Sequence, residues 1–175
     1  MFVSVTPFFD EKMNVKAYCF LAQKGSYLMT AEGIDDPLSR SAHSQAFDYI
    51  RLIGLEALTD NRPLFIPINN LALIFDLAGA CTAPPEQIIF VIDSSVPPTE
   101  MYISKIAELK EKGFSFAIRG IKNIGASMEM LKHMEYIFLE DEAYNLIEGK
   151  KPLLYWRFKA STETHGFSKY ILLSK

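Results

Sequence analysis

After its first fifty residues the chain alternates short, continuously apolar runs with amphipathic stretches. Six runs are strand-length and rich in aromatic or β-branched residues: Leu64–Ile68, Ile88–Ile92, Phe114–Ile118, Tyr136–Leu139, Leu153–Trp156 and Tyr170–Leu173. Continuous apolarity, in place of strict alternation, predicts strands buried on both faces, as in a parallel sheet covered by helices. Pro67 has no amide proton, so it predicts a strand end or a bulge in its run.

The segments between the runs predict helices. From Thr99 to Lys112, Thr99 stands where a cap belongs, Ile103, Ile106 and Leu109 share one face, and Gly113 closes the end. Ser44 to Leu58 reads as a second helix with Ile50, Ile53, Ala57 and Leu58 inward and Asp60-Asn61 as its exit, and Ser127 to His133 as a shorter third. Strand, helix, strand order implies right-handed βαβ units. The front differs: Val3–Phe9 and Val15–Gln23, joined by the polar run Asp10-Glu11-Lys12-Met13-Asn14, predict an antiparallel hairpin. The back is compressed, since Asp141–Gly149 leaves room for about two helical turns and Lys159–Gly166 for barely one, whereas a crossover needs about ten to twelve residues.

Composition narrows the class. With 175 residues, 49% of them hydrophobic, one domain spanning residues 1–175 with a single core is expected. Eighteen basic against 21 acidic residues, a net charge of -3, lack the basic footprint of a nucleic-acid binder. The apolar runs fall far short of a membrane span, and the N-terminus has no charged region followed by an apolar stretch, so a cytoplasmic protein is expected. Cys19 and Cys81 form no C-x-x-C pair, and His43, His133 and His165 are scattered, which gives no metal-binding spacing.

Met1 to Asp10 followed by Asn14-Val15-Lys16-Ala17-Tyr18 forms one motif, Gly54-Leu55-Glu56-Ala57-Leu58-Thr59 with Phe65-Ile66-Pro67-Ile68-Asn69 a second, Leu109 to Ile118 a third, and the closing Gly166-Phe167 to Ser174-Lys175 a fourth. Together they resemble the EAL-domain family of cyclic di-GMP phosphodiesterases, in particular the branch in which an EAL-like domain precedes an HDOD domain; the first is similar to that branch's opening strands and the others to later family motifs. The resemblance implies a (β/α) barrel of TIM type with an antiparallel first strand and an abbreviated C-terminal half. It also implies a chain that continues past Lys175 into an HDOD domain.

Carried over residue by residue, the resemblance places the family's polar site on largely apolar positions. The motif glutamate falls on Cys19 and the phosphate-contacting arginine of the same motif on Gln23. The second strand's asparagine is kept as Asn69, the third strand's glutamate falls on Val91, and the fourth strand's aspartate pair falls on Arg119 and Gly120. The fifth strand's lysine falls on Phe138 and the following aspartate on Glu140, while a sixth-strand glutamate falls on Trp156 and a late glutamine on Lys169.

Metal-assisted phosphodiester hydrolysis needs hard oxygen ligands converging on Mg²⁺ or Mn²⁺. Asn69 and Glu140 cannot hold two divalent ions alone, and Phe138 and Trp156 are expected to fill the vacated space and pack the pocket shut. The resemblance therefore implies an inactive regulatory domain without cofactor or metal. Its partners would be proteins or further copies of itself, docked on apolar flanks that the compressed late helices leave uncovered. Two rivals stay open: a non-hydrolysing cyclic di-GMP receptor, in which Arg119 clamps a phosphate, and an active phosphodiesterase with relocated ligands.

Each candidate also has a structural reading. Arg119 is expected as a surface arginine paired with a carboxylate such as Glu140, Asn69 as turn chemistry with Asn70, Cys19 as a buried small residue, and Phe138 and Trp156 as core and not as a stacking platform. Glu129, Glu135, Glu140, Asp141 and Glu142 read as a solvated acidic surface.

Overall fold

The computed structural model of the chain describes residues 4–10, 12–21, 42–121, 129–139, 155–156 and 170–173, with the backbone alone at 139, 155–156 and 170–173. The segments 141–149 and 159–166, expected as shortened connections, lie outside the described residues.

The front folds as the expected hairpin. β1 (Ser4–Phe9) and β2 (Val15–Leu21) pair antiparallel, with Thr6 opposite Cys19 and Phe8 opposite Ala17. The turn between them is organised by one carboxylate: Asp10 Oδ1 accepts from the backbone N–H of Lys12 at 2.9 Å and of Asn14 at 2.8 Å, and Lys16 Nζ stands 3.2 Å from Oδ2. The Asn14 backbone N–H above all, with the Asn14 side chain, Lys16 and Lys12 adding to it, holds the Asp10 carboxyl down at about 2.

The helix expected over 44–58 is two helices. α1 (His43–Ile53) buries Ala46, Phe47 and Ile50, then Gly54 at φ 84° breaks the chain before α2 (Leu55–Thr59), which buries Leu55 and Thr59. The break corrects the inward face: Ile53 is 50% exposed and Ala57 is exposed, because the chain turns at Gly54 before either reaches the core. Asp60 and Asn61, at φ 51° and 56°, form the exit.

β3 (Leu64–Pro67) ends at its proline, as the missing N–H requires. A 3₁₀ turn (Ala72–Ile74), the short α3 (Leu77–Ala80) and a second 3₁₀ turn (Pro85–Gln87) lead into β4 (Ile88–Asp93). α4 (Glu100–Glu111) then buries Tyr102, Ile106 and Leu109, with Ile103 half-buried beside them. Thr99 occupies its N-cap with extended backbone, but its side chain makes no capping bond. The other end is a Schellman motif: Gly113 at φ 97° donates to Lys110 O at 2.9 Å and Phe114 donates to Leu109 O at 3.1 Å, which delivers the chain into β5 (Ser115–Arg119). A helical turn at 129–131 precedes β6 (Tyr136–Leu139), and β7 (Tyr155–Trp156) and β8 (Tyr170–Leu173) complete the described strands.

These strands form one sheet in the order β1-β2-β3-β4-β5-β6-β8-β7. β2, β3, β4, β5, β6 and β8 run parallel, and β1 and β7 are antiparallel to their neighbours. The βαβ expectation therefore fails at the last step. β7 lies beyond β8 and antiparallel to it, with Trp156 opposite Ile171, a pairing that the short connection permits and a parallel crossover would not.

Both faces of the sheet are buried, as the continuous apolarity demands. One face packs Leu64, Ile66, Ile88, Phe90, Ile92 and Phe116 beneath the helices. The other gathers Ala17, Cys19, Phe65, Ile89, Val91, Ala117 and Phe138, with Phe8 and Tyr136 packed against them. On this second face Phe8 of β1 meets Phe138 of β6 with ring centroids 5.5 Å apart, and Phe65 of β3 meets the same ring at 5.4 Å. In a flat sheet β1 and β6 would stand roughly 24 Å apart at about 4.8 Å per strand. The sheet must therefore curl around these rings, which makes this its concave face. Among the described residues no ladder joins β7 back to β1, so the architecture is a curled α/β half-barrel. No helix among the described residues is long and apolar enough to cross a membrane.

Two predictions follow from this arrangement. Phe65, 1% exposed, is the hub of the concave cluster, so Phe65→Ala should cost about 3–5 kcal/mol in denaturant unfolding, and a double-mutant cycle with Phe138→Ala should return a coupling of about 0.5–1.5 kcal/mol. The Asp10 pKa, depressed to about 2 against roughly 3.9 in an unfolded chain, contributes stability that is complete above the unfolded value and lost as pH falls toward 2. Carboxyl-carbon NMR should find the Asp10 midpoint near 2 with the Lys12 and Asn14 amides losing protection in step; a midpoint near 4 would refute the turn as described.

Candidate functional site

Parallel strands present their C-terminal ends together, and in α/β sheets that edge is where ligands bind. Here β3, β4 and β5 bring Asn69, Asp93 and Arg119 to one rim around a cavity of about 360 Å³. Asn70 and Ser95 complete its polar wall, and Ile68 and Val96 supply apolar surface.

Arg119 is the central residue. It is 7% exposed, which corrects the expectation of a surface arginine, and its Nη2 stands 3.2 Å from Asp93 Oδ2 on the neighbouring strand. The two are direct partners in the β4–β5 register. Among the described residues the carboxylate beside it is Asp93; the expected Glu140 lies outside them. Asp93 was legible through strand periodicity, because it stands two residues beyond Val91 and hence on the same face of β4.

Backbone bonds fix the rim around this pair. Ser94 N–H donates to Arg119 O at 2.9 Å, the Ser94 hydroxyl donates to Gly120 O, and Ser95 N–H donates to Asp93 Oδ1 at 2.9 Å. Gly120 has φ 67°, and a Cβ added there would lie 3.1 Å from Asp93 Oδ2. The glycine therefore serves two needs, a left-handed turn after β5 and room for the carboxylate.

Asn69 lines the cavity while taking part in a turn: its Oδ1 accepts from Ala72 N–H at 2.9 Å, and Asn70 Oδ1 accepts from Leu71 N–H at 3.0 Å. Cys19, Val91 and Phe138 belong to the apolar cluster on the concave face. Burial pushes the Cys19 thiol up to about 12, with the Arg119 charge acting weakly the other way, so this sulfur is no nucleophile at neutral pH. Phe138 fills the concavity with Phe8 and Phe65, two residues that sequence reasoning did not single out as fillers. The pocket is nevertheless not packed shut, since the cavity at the Arg119 rim persists. Trp156 is described only as backbone in β7, and Gln23 and Lys169 lie outside the described residues. Among the described residues no three His, Cys, Asp or Glu side chains converge closely enough to hold a metal ion.

No family model matches the chain. An uncharacterised protein of Bacillus subtilis, YuxH, is 27% identical over 139 residues, covering 78% of this chain and 33% of its own length. Among solved structures, the calcium and cyclic di-GMP complex of Klebsiella pneumoniae BlrP1 matches with a TM-score of 0.56 at 16% identity, covering 80% of this chain and 40% of that one. The EAL enzyme Bd1971, bound to cAMP and cyclic di-GMP, matches with a TM-score of 0.54 at 13% identity, covering 79% and 45%. The fold is shared with EAL-domain proteins. The chain spans a third to less than half of the length of each of these relatives.

The cavity lies at the C-terminal edge of the parallel strands, the edge at which α/β sheets bind ligands. The geometry at Gly120 gives a direct test. Gly120→Ala should lose about 1–3 kcal/mol in chemical denaturation, from the positive φ and the contact with Asp93 together. A variant as stable as the parent would show that the β5 exit relaxes freely.

Proposed function

We propose that this chain is an EAL-like regulatory domain of bacterial cyclic di-GMP signalling that does not hydrolyse the dinucleotide and acts through contact with another protein. The observation that carries the reading is the chemistry of the strand ends. Where a two-metal phosphodiesterase needs converging oxygen ligands, this chain has a buried thiol at Cys19, hydrocarbon at Val91 and Phe138, and a fixed positive charge at Arg119. Arg119 in that position repels a divalent cation, and the nearby carboxylate of Asp93 is engaged with it. The structural neighbours captured with cyclic di-GMP supply the signalling context.

Protein contact is favoured by apolar surface. Leu71, Ile74 and Phe75, 59%, 50% and 67% exposed, follow β3 beside the cavity, and Leu52 and Ile53 are exposed at the end of α1. These patches stand on the early helices and loops; the late flanks that the sequence suggested lie outside the described residues. In this reading the chain is one domain in the cytoplasm, and an HDOD domain or a second copy is the natural partner.

A second reading has one observation in its favour: Arg119 lines an open cavity, so the domain would bind cyclic di-GMP without cleaving it. The pairing with Asp93 weighs against it, because a phosphate must first displace a carboxylate already at the guanidinium.

The purified chain incubated with cyclic di-GMP and either Mg²⁺ or Mn²⁺ should release no linear dinucleotide above a protein-free control. Metal-dependent turnover would overturn the proposal.

A further inference from the structure

The turn that follows β3 is packed on one side only. Ala72 and Leu73 are buried in the core, while Leu71, Ile74 and Phe75 stand 59%, 50% and 67% exposed. Ile74 N–H donates to Leu71 O at 3.1 Å, and residues three apart on a 3₁₀ turn eclipse one another, so Leu71 and Ile74 share one outer edge, with Phe75 next in the chain. Neighbouring apolar side chains left in water mark a contact surface. The same piece of chain joins that edge to the strand-end cavity. Asn69 and Asn70 line the cavity, and their side-chain oxygens accept from Ala72 N–H and Leu71 N–H.

The cavity presents its charges unequally. The Arg119 side chain is 8% exposed and the Asp93 side chain 39%, so the charge an incoming group meets is the carboxylate. A carboxylate has about four lone-pair sites. Among the described residues Asp93 Oδ1 accepts from Ser95 N–H and Oδ2 stands beside Arg119 Nη2, which leaves acceptor capacity on Asp93 with both contacts intact. Ile68 and Val96 add hydrocarbon to the same wall. An arginine matches this combination: its planar guanidinium supplies weakly hydrated donors, and its methylene stem lies well on apolar surface. Three part-exposed side chains fall well short of the roughly 800 Å² per partner that a stable interface between two domains buries. The fitting occupant is therefore a short segment and not a second broad face.

We propose that the cavity and the Leu71–Phe75 edge form one docking groove for a short segment of a partner protein, which sets an arginine on Asp93 and apolar side chains on Leu71, Ile74 and Phe75. The inference rests on the reading of this chain as acting through protein contact, and it names the surface and the chemistry of the partner.

The experiment selects binders to the full chain from a random library of short displayed peptides, then titrates the winning peptide by calorimetry. The winners should carry an arginine among apolar residues. Replacing that arginine by citrulline, which keeps the shape and removes the charge, should weaken binding by about tenfold or more. Phe75→Ser should weaken it comparably, whereas Leu52→Ser, at the exposed end of α1, should leave it unchanged. Asp93→Asn, which keeps an acceptor for Ser95 N–H, should bind the arginine and citrulline peptides alike. A selection that enriches no peptide overturns the groove, as do winners indifferent to citrulline or to Phe75→Ser, and a folded Asp93→Asn variant that still prefers arginine. Should Asp93→Asn not fold, the citrulline and Phe75→Ser comparisons decide. Winners that depend on Leu52 would defeat this groove and leave protein contact standing, and hydrolysis of cyclic di-GMP would defeat the proposed function without touching this result, so the two failures are distinguishable.

Discussion

The constraint on which the structure depends is the interlocking of aromatic rings on the concave face. Phe65 meets Phe8, Phe138 and Tyr136 with centroids 5.2 to 5.4 Å apart and ring planes 74 to 86° to each other, so each ring edge points at a neighbour's face. Such pairs add about 0.5–1.5 kcal/mol each beyond the area they bury. More important is what they span. The rings come from β1, β3 and β6, strands that hydrogen bonding alone would leave well separated, and their contact fixes the curvature of the whole sheet. The helices then have a convex surface to cover, and α1 and α4 do so with Phe47, Ile50, Ile106 and Leu109.

That packing also decides what the strand ends can do. Phe138 sits on the concave face with Cys19 and Val91, positions where the family resemblance expects polar groups. Filling the floor of the concavity with hydrocarbon leaves polar chemistry only at the rim, where β4 and β5 end side by side in Asp93 and Arg119. One packing therefore sets both the stability of the concave face and the apolar character of its floor. Oxygen ligands placed on that floor would have to be buried beside these rings, at the cost of unpaired charge in an apolar core.

The strands were legible because their signal is local. Ile88 to Ile92 and Tyr136 to Leu139 are continuously apolar and appear as β4 and β6 within a residue of the expected bounds, and Pro67 ends β3 for the reason its ring dictates. The break in the first helix was hidden because Gly54 interrupts a run whose apolar spacing continues past it, and spacing carries no record of a positive φ. The antiparallel β7–β8 pairing was missed because strand direction depends on tertiary closure; only the shortness of the connection hinted at it. At the site, Asn69, Val91 and Phe138 could be placed from strand position, whereas the pairing of Arg119 with Asp93 depended on cross-strand register. The sequence offers Glu140, outside the described residues, as one nearby carboxylate, and the register sets Asp93 directly opposite.

Why should this fold bury an arginine so deeply at the rim of its cavity? Packing alone does not require it, because a hydrophobic residue of similar volume would spare the desolvation of a guanidinium and is often the more stable choice. The arrangement instead surrounds that residue with groups arranged for polar contact. Ser94 ties the β4 turn to the backbone of Arg119 and Gly120, Gly120 makes room for the Asp93 carboxylate, and Ser95 holds its second oxygen. Each of these contacts positions the carboxylate relative to the guanidinium, and none strengthens the apolar core.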